Sequence, residues 1–255
     1  MVTYINCWAR KIMECKLCGN KKKLLKKSHI IPDFMYQGLF DEKHRIHEVV
    51  VNKEYPLKSK TRQSGVYDKN ILCNNCDNKI IGGLESYASR ALYGGIELTV
   101  ENGADKLRKY INVKGLNYSK FKLFLLSILW RASISNLPVF QYVNLGEHEQ
   151  IIRNKILKND PGGCDEYPCA IFTHLHNPKI PHQLIAEPKC SLSDEQQICA
   201  FLISGNLFLF FTSIDKKTEW ARHCSINEQG IMQIIQMSEN LSAKVINKFV
   251  GMDLL

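Results

Sequence analysis

Cys15-Lys16-Leu17-Cys18, then Ser28-His29-Ile30-Ile31-Pro32, then Cys73-Asn74-Asn75-Cys76-Asp77 are the stretches on which the reading of this chain turns. A Cys-x-x-Cys knuckle lets two thiolates reach one ion from a tight turn. Two knuckles supply the four sulfurs of a closed tetrahedral zinc site. One such pair alone is equally a redox pair or chance. Two in one short region, with His29-Ile30-Ile31-Pro32 between them, point to a structural zinc on Cys15, Cys18, Cys73 and Cys76. The bland alternative is four buried apolar thiols. The histidine between the knuckles is the candidate for chemistry.

Working outward, Gly19-Asn20 after the first knuckle is a tight-turn signal. Pro32 excludes a continuous helix through His29 and can open one after it, over 33–40. Residues 49–51 read as a strand and 58–68 as a polar loop. Residues 78–92 read as a helix with Leu84, Tyr87, Ala88 and Leu92 on one face. With 1–13 as a short lead-in, residues 1–95 form one zinc-binding module. The remainder, 96–255, reads as an α+β accessory domain that binds substrate or a partner. It has an apolar helix over 118–135 ended near Pro138, an amphipathic helix over 147–157, and a break at Asn159-Asp160-Pro161-Gly162-Gly163. Strand-like runs follow at 170–175, 183–186 and 198–204, the last turned by Gly205-Asn206 into 207–212, and a helix closes the chain over 237–249.

The 255 residues carry a formal charge of +9, and 45% of them are hydrophobic, which describes a globular chain. The excess of cations makes a polyanion a plausible partner. No apolar run has the length and purity of a membrane span, and the first residues lack the order of a signal peptide. The ten cysteines are therefore assigned to a reducing, cytoplasmic setting, where metal binding is favoured over disulfides. Cys164 and Cys169 could form a second knuckle, but the Asp-Glu-Tyr-Pro insert between them and the lack of partner ligands argue against it. His174 and His176 alternate as in a strand, which would place both rings on one face.

In a nuclease site the histidine acts as a general base, because neutral imidazole can take a proton from water near neutral pH. His29 is that candidate, and its alternative is a structural histidine beside the zinc turn. A divalent cation offsets charge on the attacked phosphate and draws oxygen or nitrogen ligands. Asp77 is the carboxylate that the second knuckle would fix, with a helix N-cap as its alternative. Asp68 and Asn70 precede that knuckle and are candidates to orient the imidazole or add a ligand. Glu85, two turns on, is the further candidate. Lys21, Lys22, Lys23, Lys26 and Lys27 beside His29, with Arg62, are candidate phosphate contacts, or else a solvated loop.

The order Cys-x-x-Cys, His-Ile-Ile-Pro, Cys-x-x-Cys-Asp resembles the ββα-metal, or HNH (His-Me finger), endonucleases in their four-cysteine form. The likeness spans residues 15–89. It is closer to a bacterial subgroup with a Ser-His-Ile-Ile-Pro element, an Arg-Gln-x-Gly element (here Arg62-Gln63-Ser64-Gly65) and a helix with Glu and Tyr (here Glu85 and Tyr87). The resemblance implies a zinc-stapled ββα-metal module in which His29 is the base, Asp77 takes the place of the usual His or Asn ligand, and Asp68 stands where a central asparagine is usual. It implies a Mg or Mn cofactor, 5′-phosphate products, and a nucleic-acid substrate with DNA favoured over RNA. It also implies a setting in phage defence, with a regulatory partner such as an ATPase. Where the family commonly has Asp or His before the base, this chain has Ser28. The other readings of the same module are a non-catalytic zinc domain that binds nucleic acid or protein, and an RNase effector.

Overall fold

The computed structural model describes residues 12–50, 58–106, 108–180, 182–193 and 196–250. Most of the lead-in, Cys7 and Val51 lie outside these residues. Short paired strands make up the N-terminal part. Strands β1 (Met13–Glu14), β2 (Lys21–Lys22) and β3 (Ser28–His29) are followed by a 3-10 helix at Asp33–Leu39. Then come β4 (Ile46–Val50), β5 (Lys58–Arg62) and β6 (Tyr67–Asp68). Each pairs antiparallel: β1 with β2, β3 with β6, β4 with β5. Residues 58–68 are thus not a loop. Lys58–Arg62 is polar because its hairpin stands apart from the main sheet, and polarity was the only signal of a loop.

Pro32, at φ −53° and ψ 138°, ends the extended run and opens the 3-10 helix. After β6, a seven-residue π-helical stretch, Asn75–Ile81, runs into α1 (Gly82–Tyr93). The amide of Gly82 reaches back to the carbonyl of Asp77, which gives the wide turn. The helix therefore starts three residues earlier than 78–92. Leu84, Tyr87 and Ala88 are buried as a face, but Leu92 is exposed near the end of the helix.

The rest of the chain adds β7 (Thr99–Ala104), β8 (Lys109–Lys114), α2 (Tyr118–Ile134), α3 (His148–Lys158) and β9 (Cys169–Thr173). It continues with β10 (Lys189–Ser193), β11 (Gln196–Ile203), β12 (Asn206–Phe211), α4 (Trp220–Cys224), β13 (Met232–Gln236) and α5 (Glu239–Val250). Seven of these strands form one mixed sheet in the order β10-β11-β12-β9-β13-β8-β7. Its pairs are antiparallel except β13 beside β9. The fold is α+β.

Both faces of the sheet are covered, which is why β11 and β12 read as nearly unbroken apolar runs. On one face Phe201, Phe208 and Phe210 join the core that holds α2. On the other, Phe211 packs with Ala221 and Cys224 of α4, and Leu202 and Leu207 with Ile246 of α5. Helix α2 is buried from Phe121 to Ala132, as a helix that is apolar all round must be. The same core contains Cys15, Ile30, Leu72 and Cys76, so the apolar interior is continuous across residue 95.

Two-residue hairpin β11–β12 turns at Ser204 (φ 46°) and Gly205 (φ 79°), one residue before the expected Gly205-Asn206. Both left-handed values suit a turn matched to the twist of the strands. Residues 183–186 make only a single bridge, Ile185 to Ile203, and not a strand. Strand β9 stops at Thr173, and the chain turns there. His174 is consequently buried while His176 is exposed, and the two do not share a face. Cys190 and Cys199 are directly opposed on β10 and β11 and are joined as a disulfide, against the expectation that metal binding is favoured over disulfides. That pairing depends on strand register, which cysteine spacing does not reveal. No helix among the described residues is long and apolar enough to cross a membrane.

Candidate functional site

The four knuckle cysteines converge. The Sγ atoms of Cys15, Cys18, Cys73 and Cys76 all lie within 4.8 Å of one another. A tight turn makes this possible: the amide of Gly19 donates to the carbonyl of Cys15 (2.8 Å), and Gly19 sits at φ 73°, where glycine is unstrained. The second knuckle is locked to the first. Leu24 bridges to Cys73, the Lys16 amide donates to Ile71 O (2.9 Å), and the Cys73 amide donates to the sulfur of Cys15 (3.3 Å). From α3, Arg153 Nε donates to the carbonyls of Lys16 (2.8 Å) and Leu17 (2.7 Å).

Crowding thiols in this way splits their acidities. Burial pushes Cys15 up, and burial with the neighbouring thiols pushes Cys76 up. Burial also acts upward on Cys18, but the Asn20 amide and the other three thiols outweigh it and hold Cys18 at about 7. A tetrahedral zinc with bonds of about 2.3 Å separates its sulfurs by roughly 3.8 Å. The cluster, all sulfur and almost wholly buried, fits such an ion.

Beside this cluster the chain gathers a second set of groups. Strand β3 places Ser28 opposite Asp68 and His29 opposite Tyr67 on β6. The π-helical turn that leaves Cys76 carries Asp77, and α1 carries Glu85. Burial pushes the Asp77 carboxyl above its usual range. The Ser28 hydroxyl, Arg131 and His29 act downward, and Glu85 acts upward. Ser28, His29, Arg131 and Glu85 thus all lie close enough to Asp77 to act on its carboxyl. Ser28 Oγ and His29 Nε2 are buried atoms without a hydrogen-bond partner of good geometry. The His29 side chain is 29% exposed, and Asp33 Oδ1 stands 3.5 Å from its Nε2. The ring of Tyr67 lies edge-on to that of His29, centroids 6.2 Å apart.

Arg131, on α2, holds this set together. It is 1% exposed, and its Nη1 donates to Glu85 Oε1 (2.6 Å) and to the carbonyl of His29 (2.7 Å). Glu85 is therefore a partner of Arg131 rather than a free carboxylate. Asp68 is also engaged: its carboxylate accepts from the amides of Lys69 (2.6 Å) and Asn136 (2.8 Å) and from Ser135 Oγ (3.2 Å), closing the end of α2. Asn70 is exposed in a left-handed turn (φ 58°), and its amide donates to Leu25 O (2.9 Å). Neither places its side chain with His29 and Asp77 by any contact found.

Lys21, Lys22, Lys23, Lys26 and Lys27 are all exposed. Lys27 Nζ sits 5.0 Å from the centre of the Tyr67 ring, which ties one cation of the cluster to the neighbourhood of His29. Arg62 ends β5 opposite Ile46 and is half-buried. Sequence reasoning missed Arg131 and Asp33. A single arginine inside an apolar helical stripe was the available signal for the first, since a buried cation needs partners. No local signal marked the second.

No family model matches the chain, and no curated protein or solved structure matches it.

Proposed function

We propose that this chain is a metal-dependent endonuclease of the HNH type that hydrolyses phosphodiester bonds of nucleic acid, with DNA as the favoured substrate. The observation that supports this reading is the meeting of Ser28, His29 and Asp77 beside the four-cysteine cluster, where the Ser28 hydroxyl and His29 both act on the Asp77 carboxyl and Arg131 ties the His29 carbonyl to Glu85. In this reading the four cysteines hold a structural zinc that staples the turn between β1 and β2 to the helix start. Asp77 would hold Mg or Mn, which, when bound, would neutralise charge on the phosphate and the leaving oxygen. The upward pressure that burial puts on the Asp77 carboxyl suits a cation at that spot.

His29 takes a proton from water as general base. Its Nε2 is shut off from solvent, so Nδ1 is the nitrogen that acts. Arg131 fixes the backbone of His29 through its carbonyl and so sets where the ring can point. Lys27 and its neighbours attract the phosphate backbone. The product carries a 5′ phosphate. The sheet-bearing part recognises substrate or docks a controlling partner such as an ATPase, in a setting of phage defence. A binding module without catalysis is the second reading, favoured by one observation: Glu85 is occupied by Arg131, which leaves Asp77 as the sole carboxylate offered by the helix.

Incubation of zinc-loaded protein with supercoiled plasmid and Mn or Mg tests the proposal. Nicked or linear DNA, absent with His29→Ala and with chelator, is expected. Intact plasmid, with single-stranded RNA also uncut, would leave the binding module standing.

A further inference from the structure

We propose that Asp33 is the positioning residue for His29: its carboxylate accepts from Nε2–H and so leaves the Nδ1 lone pair facing the solvent side. The inference rests on the nuclease reading above, in which His29 is the base.

Neutral imidazole carries one N–H and one lone pair, and the group opposite each nitrogen decides which is which. Asp33 Oδ1 lies 3.5 Å from Nε2, a nitrogen with no solvent contact and no hydrogen-bond partner of good geometry. A carboxylate there can accept but not donate, so it favours the tautomer protonated at Nε2. A gap of that size is typical of a site without substrate, where hydrogen bonds are long and close later. Asp77 also lies near His29, but its carboxyl is engaged by the Ser28 hydroxyl.

The carboxylate of Asp33 is itself held in place. The same Oδ1 accepts from the Gly65 amide at 2.9 Å. Gly65 ends the Arg62-Gln63-Ser64-Gly65 run that stood out in the sequence without an assigned task. A Cβ on Gly65 would meet the Tyr36 ring at 2.5 Å, so only glycine lets its backbone come this close. The next amide, Val66, donates to Tyr36 Oη (3.2 Å), and Val66 O accepts from Ile30 (3.1 Å). Pro32, with its extended ψ of 138°, places Asp33 at the first position of the 3-10 helix. The Tyr67 ring edge limits rotation of the imidazole.

The test is nitrogen NMR on the full zinc-loaded chain with labelled histidine. The signals of His29 are assigned by their loss in His29→Gln. At neutral pH wild type is expected to show His29 protonated at Nε2. Asp33→Ala is expected to give mixed tautomers and to lower kcat about 10- to 100-fold, with KM little changed. Asp33→Asn, whose amide oxygen can still accept from Gly65 and from Nε2–H, is expected to restore the single tautomer. A merely structural Asp33 would change thermal stability and leave the tautomer alone. His29 protonated at Nδ1 in wild type, or an unchanged tautomer in folded Asp33→Ala, overturns the proposal. If Asp33→Ala does not fold, the wild-type tautomer decides it. Cleavage with the wrong tautomer sinks the positioning role and spares the nuclease reading. The expected tautomers without cleavage of any nucleic acid do the reverse.

Discussion

Removing Arg131 should cost stability through Glu85 rather than by loss of packing. The guanidinium is 1% exposed and Glu85 is 24% exposed, with Nη1 to Oε1 at 2.6 Å. Breaking a buried ion pair by deleting one partner costs about 3–5 kcal/mol, because the other charge is stranded. Glu85→Gln strands the more buried partner but keeps an acceptor. Glu85 also retains some water in wild type, so about 3 kcal/mol is expected for this variant. Arg131→Met strands the half-wetted carboxylate and gives up bonds to His29 O (2.7 Å) and Ser127 O (3.1 Å), at about 1 kcal/mol each or slightly more. The double variant leaves neither member of the Arg131–Glu85 pair stranded. Its loss should fall short of the sum of the single losses by about 2 kcal/mol. Urea unfolding of zinc-loaded protein at neutral pH measures this, provided the m-value is constant across the four proteins. Single losses that add to within about 0.5 kcal/mol would refute the reasoning, since independent sites behave that way.

Burial presses the Lys122 ammonium down to about 8 from 10.5, with Glu166 the strongest opposing influence. Its folded value lies below its unfolded one, so the cost of burying the charge is present below about 8 and is relieved as pH rises towards 10.5. Wild type should gain about 3 kcal/mol on Lys122→Met across that window by urea unfolding, and parallel curves would contradict this. Cys76→Ser should abolish stoichiometric zinc, read by elemental analysis, and lower the melting temperature by about 10 °C. Asp68→Ala should cost about 2 kcal/mol by freeing the end of α2, yet leave kcat within about threefold where the protein stays folded. A complete loss of turnover with unchanged stability would instead place Asp68 in the chemistry.

Features written into short stretches of chain were legible. The knuckles were, because two thiols on one turn need no knowledge of the rest of the fold. So were α2 and α3, whose patterns fill whole helices, and the β11–β12 hairpin to within one residue. Strands β7 and β8 were not, because their side chains are mostly polar and exposed or half-buried. Strand β13 is short and takes its place between β8 and β9 from tertiary pairing. Among the candidate residues, His29, Asp77 and Glu85 were picked out by their place beside the cysteines, and in the structure His29 and Glu85 both act on the Asp77 carboxyl. Asp68 and Asn70 shared that spacing but serve the end of α2 and a backbone turn. Asp33 and Arg131 are held by partners 32 and 46 residues away, a relation that no local pattern encodes.

Chemical rescue tests the role of His29 most directly. His29→Gly, zinc-loaded and folded, is mixed with duplex DNA and Mg or Mn, with and without added imidazole. The account expects cleavage by wild type, near-complete loss in His29→Gly, and return of activity as imidazole is raised, with 5′-phosphate ends throughout. Cleavage by His29→Gly at the wild-type rate without imidazole would contradict it.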